Sequence, residues 1–370
     1  MQKEIGSNFD LKYVEYGDFK GTLSMQNYGL AGEDEAYFSK GRDAEKFVLE
    51  TLLMSNPELK KIALIPPFTC GTVIEPFLDL GFNVHAYSID NNMHIDIERF
   101  RKELVESKAS VVLVHRYFGF DTMKNFETII DEFRENNVVF IEDRTQCLFS
   151  SFPALNVDYY VGSFRKWTAL PDGGFAVSKI KLNKSKPLNY DALLVAKKLK
   201  ASNLKYDYLH KGIGEKQMFL DEFREAEEVL EAEKWYYKMS PISQFIQSTL
   251  DTDELKKKRR SNYSYLYQLI ENMENIKILT PRLEADSVPL YLPVLCSQRK
   301  KLQSFLAEHR IYAPVVWPKD EKCPQICNEA QQIYDDILCL PIDQRYDLDD
   351  MKRMAKCIEE FEDECFKKFR

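Results

Sequence analysis

The stretch GSFRKWTALPDGGFAV, Gly162 to Val177, decides how the rest of the chain is read. Its approach, DYYVGS at Asp158 to Ser163, is a short apolar run with the character of a buried strand. Past the carboxyl end of that run come Arg165 and Lys166, a Pro171-Asp172 turn, the Gly173-Gly174 pair and a second strand, FAVSK. A lysine is thereby expected at the mouth of a sheet. About twenty residues upstream, by the common αβ spacing, a further buried strand, VVFIE at Val138 to Glu142, delivers Asp143 at its carboxyl end and Gln146 one turn later. Two opposite charges would then face one crevice.

An amine and a carboxylate at the ends of adjacent strands suit a cofactor held covalently as a Schiff base, with an acid beneath its ring nitrogen. Pyridoxal phosphate is such a cofactor. Lys166 would bind it, and Asp143 would keep its pyridine nitrogen protonated so that the ring accepts electrons. Taken singly, each residue has an ordinary reading: a loop lysine is usually solvated, and an Asp after a strand usually shapes a turn.

Outward from this centre the chain alternates strands and helices. IALIP at Ile62, VHAYS at Val84, VVLVH at Val111, VVFIE and YYVGS at Tyr159 read as strands, with helices near 71–80, 95–106 and 122–136 between them. The alternation predicts an α/β fold, a mainly parallel sheet with helices on both faces and its site at the strands' carboxyl ends. Those ends carry Phe68, His115, Asp143 and Ser163. Phe68 would stack on a cofactor ring or simply pack. His115 would polarise the ring hydroxyl or bond the backbone, the second being slightly favoured. Ser163 is placed to bond a phosphate oxygen. Ala44, Phe47, Val48, Thr51 and Leu52 fall on one helical face, and the start of that helix, Gly41-Arg42-Asp43, offers free N–H groups and a positive dipole end to the same phosphate. A plain helix start looks the same, and Asp43 would repel the anion.

Residues 1–38 are irregular by pattern. Residues 181–250 are charged and mostly helical, with Glu222 to Trp235 the clearest helix. From 251 a long helix, strand-like VPLYLPVLC, the helix RKKLQSFLAEHR, the segment IYAPVVWP and a closing helix after LPIDQRY form a small α+β unit, interrupted by a mobile-looking connector, KDEKCPQICNEAQQ. The expected division is a large domain, 1–250, and a small one, 251–370.

The totals narrow the function. The 370 residues are 44% hydrophobic and 30% charged with net charge −8, so no basic face for nucleic acid is expected, and KKKRR at Lys256 to Arg260 reads as a solvated helix face. No run reaches the roughly 20 apolar residues of a membrane span, and MQKEIGSNFD has no signal-peptide core, so a cytoplasmic protein is expected. Eight scattered cysteines fit reduced thiols; Cys323 and Cys327 are the one close pair, and with no histidine nearby they predict no metal site.

With these motifs the chain resembles the fold-type I pyridoxal phosphate enzymes and, within them, the DegT-type sugar aminotransferases. Glu142-Asp143-Arg144-Thr145-Gln146 is similar to the family's EDxAQ element, which implies Asp143 as the pyridinium partner and Gln146 as a contact on the ring-hydroxyl side. Lys166, seven residues ahead of a Gly pair in Leu170-Pro171-Asp172-Gly173-Gly174, resembles the family's cofactor lysine and its TGEGG-like turn. Lys40-Gly41-Arg42-Asp43-Ala44 stands where the family has its Ser-Gly-Thr phosphate turn, and Arg260 to Tyr263, Arg310-Ile311 and Leu340-Pro341 resemble its C-terminal pattern. The likeness runs in order from about 38 to 365. It implies transfer of an amino group from an amino acid, glutamate in most of the family, to a keto-sugar nucleotide, in glycan or cell-envelope polysaccharide synthesis, by a homodimer. Two readings compete: another pyridoxal phosphate reaction, such as a lyase or an amino-acid transaminase, and a non-catalytic relative.

Overall fold

Val111 to Val114 is a run of β-branched and apolar residues that ends in His115, every one of them buried, as in a strand covered on both faces of a sheet. Around it a computed structural model describes residues 3–12, 23–182, 184–232 and 236–365. In chain order the elements begin with β1 (Ile5–Gly6), β2 (Asp34–Phe38), α1 (Gly41–Ser55), β3 (Ile62–Ile65), α2 (Gly71–Asp79), β4 (Asn83–Ala86), α3 (Ile97–Ser107) and β5 (Val111–His115). They continue with α4 (Glu127–Arg134), β6 (Val139–Asp143), β7 (Tyr159–Ser163), β8 (Gly174–Ser178), α5 (Ala192–Tyr206), α6 (Lys216–Ala232), α7 (Pro241–Ser248) and α8 (Thr252–Ile270). The last are β9 (Lys277–Ile278), β10 (Leu292–Leu295), α9 (Arg299–Glu308), β11 (Ile311–Tyr312), α10 (Asn328–Asp336), β12 (Ile337–Leu340) and α11 (Leu348–Cys365).

The chain forms two compact units. The first comprises Met1–Ser7, Lys60–Val157 and Asp251–Arg370, the second Asn8–Leu59 and Asp158–Leu250. In the first, β4, β3, β5 and β6 lie side by side, all parallel, with His115 directly opposite Asp143 in the β5–β6 register. Its later part holds β9, β10 and β12 as an antiparallel sheet, α8 packed on α11, and β1 paired in parallel with β11. The boundary drawn at 250 from the sequence coincides with a unit edge, while residues beyond it group with 60–157. Hydrogen bonds explain the grouping: Tyr334 holds both backbone groups of Thr69 at 2.9 Å, and Val288 N donates to Ser150 Oγ at 3.0 Å.

In the second unit β8 lies between β2 and β7, antiparallel to both, and α1 packs across β7 and β8. A β-carbon on Gly174 would lie 2.4 Å from the carbonyl carbon and oxygen of Lys40, so only glycine lets β8 meet the start of α1. Gly174→Ala is expected to destabilise the chain by at least about 2 kcal/mol, because the clash is with backbone that cannot yield, and a urea titration would read it.

Four sequence expectations are corrected. Residues 1–38 are not irregular throughout: Asp34–Phe38 is a full strand, hidden in the sequence because acids alternate poorly with its aromatic residues. The helix expected over 122–136 is confined to Glu127–Arg134, since Phe118 and Asn125 adopt positive φ and keep the preceding segment in turns. The connector's NEAQQ belongs to α10, whose Ala330, Ile333 and Tyr334 are buried. Within KKKRR, Arg259 is buried, donating to Gln344 Oε1 and to the carbonyls of Pro289 and Leu290. The helix expected over 222–235 is described to Ala232, its last three residues lying outside the described ones.

Candidate active site

In the first unit the carboxyl ends of β3, β5 and β6 present Phe68, His115 and Asp143. Asp143 is half-buried, and its Oδ1 accepts the backbone N–H of Thr145 at 2.7 Å, a turn that fixes the carboxylate at the strand end. Gln146 is buried; its Oε1 accepts the N–H of Phe118 at 2.9 Å, which orients the amide, and its Nε2 has no hydrogen-bond partner. Thr69 Oγ1 is likewise buried and unpaired. Such buried donors are costly unless something satisfies them.

His115 Nε2 lies 3.1 Å from the carbonyl oxygen of Phe68. A carbonyl only accepts, so Nε2 carries the proton and Nδ1 keeps its lone pair. Burial pushes the imidazole down to about 4, so the ring is neutral at physiological pH. Between about 6.5 and 4 the unfolded chain takes a proton that the folded ring refuses, so His115 destabilises the fold as the pH falls through that window. His115→Gln is expected to flatten the loss of stability between pH 7 and 5, measured as urea midpoints. The indole of Trp317 stacks on this ring, centroids 5.9 Å apart and planes at 20°. Phe68 is fully buried in tilted and edge contacts with Tyr117, Trp317 and Tyr334. Trp317 and Tyr334 were missed as site residues. Tyr334 lies two residues past the stretch read as a connector, and Trp317, in IYAPVVWP, carries no spacing signal.

The second unit holds the other expected residues. The amino end of α1 abuts the end of β7: a β-carbon on Gly41 would lie 3.3 Å from both the carbonyl oxygen of Gly162 and Cβ of Ser163. Ser163 Oγ bonds the Gly173 carbonyl at 3.2 Å and accepts the N–H of Arg165 at 3.4 Å. Arg42 pairs with Glu231 at 2.8 Å. Asp43 is bonded by Ser39 Oγ at 3.3 Å and has Lys40 Nζ at 3.9 Å, so the acid of the first turn is engaged locally. Lys166 is exposed in the turn after β7. Beside it, Glu227 is met by Arg165 at 3.4 Å and by Lys198. Burial, then the charge of Arg165, with a smaller contribution from Lys166, lowers the Lys198 ammonium to about 8.

Residues 235–359 match the model of the DegT/DnrJ/EryC1/StrS aminotransferase family. Helicobacter pylori PseC, an aminotransferase involved in the biosynthesis of pseudoaminic acid, is 14% identical with a TM-score of 0.67, the match covering 97% of this chain and 99% of that one. The fold is that of the DegT-type aminotransferases. The aminotransferase TlmJ from Streptoalloteichus hindustanus matches at 15% identity and TM-score 0.66, over 90% of this chain and 87% of its own. DesV from S. venezuelae matches at 13% and 0.64, over 91% and 86%. No curated sequence matches. The matched family is one of pyridoxal-phosphate-dependent aminotransferases.

Within the first unit, the fixed carboxylate of Asp143 and the buried, unpaired amide donor of Gln146 suit the ring of that cofactor. Taken by itself, the second unit carries an exposed lysine, Lys166, and a hydroxyl, Ser163, beside the helix amino end that Gly41 lets approach β7. Among the described residues no helix is long and apolar enough to cross a membrane.

Proposed function

We propose that this chain is a pyridoxal-phosphate-dependent aminotransferase that moves an amino group from an amino acid, glutamate, to a keto-sugar carried on a nucleotide, in glycan or cell-envelope polysaccharide synthesis. It would act in the cytoplasm as a homodimer, with residues 1–250 as the large domain and 251–370 as the small one. The observation that carries the reading is the buried, unpaired Nε2 of Gln146, three residues past Asp143, which ends β6.

Lys166 would hold the cofactor and, once displaced by the donor, carry a proton to and from the substrate carbon with its amine. Asp143 would hold a proton on the ring nitrogen, Gln146 Nε2 would donate to the ring oxygen, and His115 and Phe68 would wall the ring. Ser163 Oγ and the N–H groups at Gly41, Arg42 and Asp43 would take the phosphate. Bound pyridoxal phosphate supplies the electron sink that makes the substrate carbon acidic.

The test adds cofactor to the purified protein, traps it with borohydride, locates the adduct by mass spectrometry, and assays glutamate with a panel of keto-sugar nucleotides. A yellow protein, an adduct on Lys166 and an aminated sugar nucleotide are expected. A colourless protein would overturn catalysis by this cofactor, and turnover confined to free amino acids would overturn the sugar substrate.

A further inference from the structure

The segment between β7 and β8 carries Lys166, and within it the lysine is the exposed exception. Phe164 and Trp167 on either side are fully buried, and Thr168, Leu170, Asp172 and Gly173 are buried as well. The segment closes on itself, with Phe164 N bonded to Gly173 O at 3.2 Å and Trp167 N to Phe164 O at 3.0 Å. Arg165 pairs with Glu227 of α6, and two other polar residues of the segment, Thr168 and Asp172, turn to one helix, α7. Asp172 Oδ2 accepts the N–H of Ser240, the N-cap of that helix, at 2.8 Å, and Oδ1 accepts the Ser240 hydroxyl at 2.8 Å. Asp172 N donates to Ser243 Oγ at 3.4 Å. Four residues earlier, Thr168 Oγ1 donates to Gln247 Oε1 at 3.3 Å, and Gln247 Nε2 donates to Tyr28 Oη at 2.7 Å.

Ser240, Ser243 and Gln247 stand at i, i+3 and i+7, so they form one face of the helix, and each is buried. A buried polar face costs stability unless every group is bonded. Here the bonds go to the lysine-bearing segment at two points, Thr168 two residues after Lys166 and Asp172 six residues after it.

We propose that α7 is a clamp that sets the position of Lys166, gripping its segment at Thr168 through Gln247 and at Asp172 through Ser240 and Ser243. Asp172 and Gln247 are thus positioning residues for the amine. The proposal rests on the reading that Lys166 takes the cofactor.

Two variants test it, Asp172→Asn, which keeps only one of the two acceptor oxygens that take the Ser240 N–H and hydroxyl, and the near-isosteric Gln247→Met, which releases Thr168 with little change of volume. Each is compared with the parent in the rate of borohydride-trapped cofactor loading and in two further measurements. The first is competitive acetylation of the cofactor-free chain, read per lysine by mass spectrometry across pH, with exposed Lys301 as reference. The second is the pH midpoint of the visible absorbance after cofactor is added. Displacing a reacting amine by about 1 Å is expected to slow borohydride-trapped loading of Lys166 roughly tenfold or more, and to shift the pH profile of its acetylation while that of Lys301 stays put. Unchanged Lys166 profiles and an unchanged absorbance midpoint in folded Gln247→Met would overturn the clamp, even if Asp172→Asn fails to fold. An adduct on another lysine in the parent chain would instead overturn the functional reading beneath it.

Discussion

Lys166→Ala is expected to abolish the cofactor's covalent attachment and to lower kcat for amino transfer by at least about 10³-fold, within the range expected when a positioned acid–base group is lost. Its stability should stay within about 0.5 kcal/mol of the parent, because the side chain is exposed and the turn around it is held by backbone bonds and by buried Phe164 and Trp167. The separation of these two readouts is what gives the variant its force. Lys166→Arg sharpens it further. Arginine keeps a positive charge beside Arg165 and Glu227 but stays protonated, so it can neither attack an aldehyde nor shuttle a proton at neutral pH. If the charge alone mattered, Lys166→Arg would retain activity; if the amine matters, both variants are equally dead. Lys198 is the informative control. Its ammonium, lowered to about 8 by burial, is a neighbouring amine able to lose a proton near neutral pH. An adduct that survives Lys166→Ala and vanishes in Lys198→Met would move the attachment point by name.

Much of the fold could be read from the chain because its strands announce themselves. Val111 to Val114 has no polar interruption, as is usual for a parallel strand buried on both faces. The motif EDRTQ could be placed at a strand end for the same reason. What escaped has a common physical character. Asp34–Phe38 is a strand whose acids point to partners far away in sequence, Asp34 to Lys186 and to Leu182 N, Glu35 to Met25 N. Arg259 reads as solvated in KKKRR and is instead buried because carbonyls thirty residues on accept its protons. Tyr334, just past the stretch read as a connector, shows no role in local pattern, yet its hydroxyl holds Thr69. In each case a polar side chain is neutralised by a tertiary partner, and local pattern carries no trace of that partner.

The same reasoning governs Glu142, which the sequence shows only as the residue before Asp143. Its carboxylate is fully buried, and Oε1 accepts from Arg116 Nη1 at 2.9 Å and Arg144 Nη1 at 3.1 Å, while Oε2 accepts the N–H of Leu155 at 3.0 Å. The Phe152 ring lies under both guanidinium groups, at 4.7 and 5.4 Å. Glu142 thus bridges two buried cations, of which Arg116 also meets Asp121 at 2.9 Å. Glu142→Ala takes that acid from Arg144 and leaves Arg116 with Asp121, and is expected to cost about 3 kcal/mol, the lower end of the range for breaking a buried ion pair from one side. The urea midpoint should fall sharply with little change in slope. Simultaneous replacement, Glu142→Leu with Arg116→Met and Arg144→Leu, removes the charges together and should recover most of that loss, since well-packed apolar residues often replace a buried triad without penalty. The two variants separate stability from function. Alternate residues of a strand face opposite sides, so Glu142 grips its arginines on one face of β6 and Asp143 stands on the other. A triple variant that folds like the parent yet transaminates poorly would show that the arginine–glutamate cluster also fixes the strand end bearing Asp143. Full activity in that variant would make the cluster a matter of stability alone.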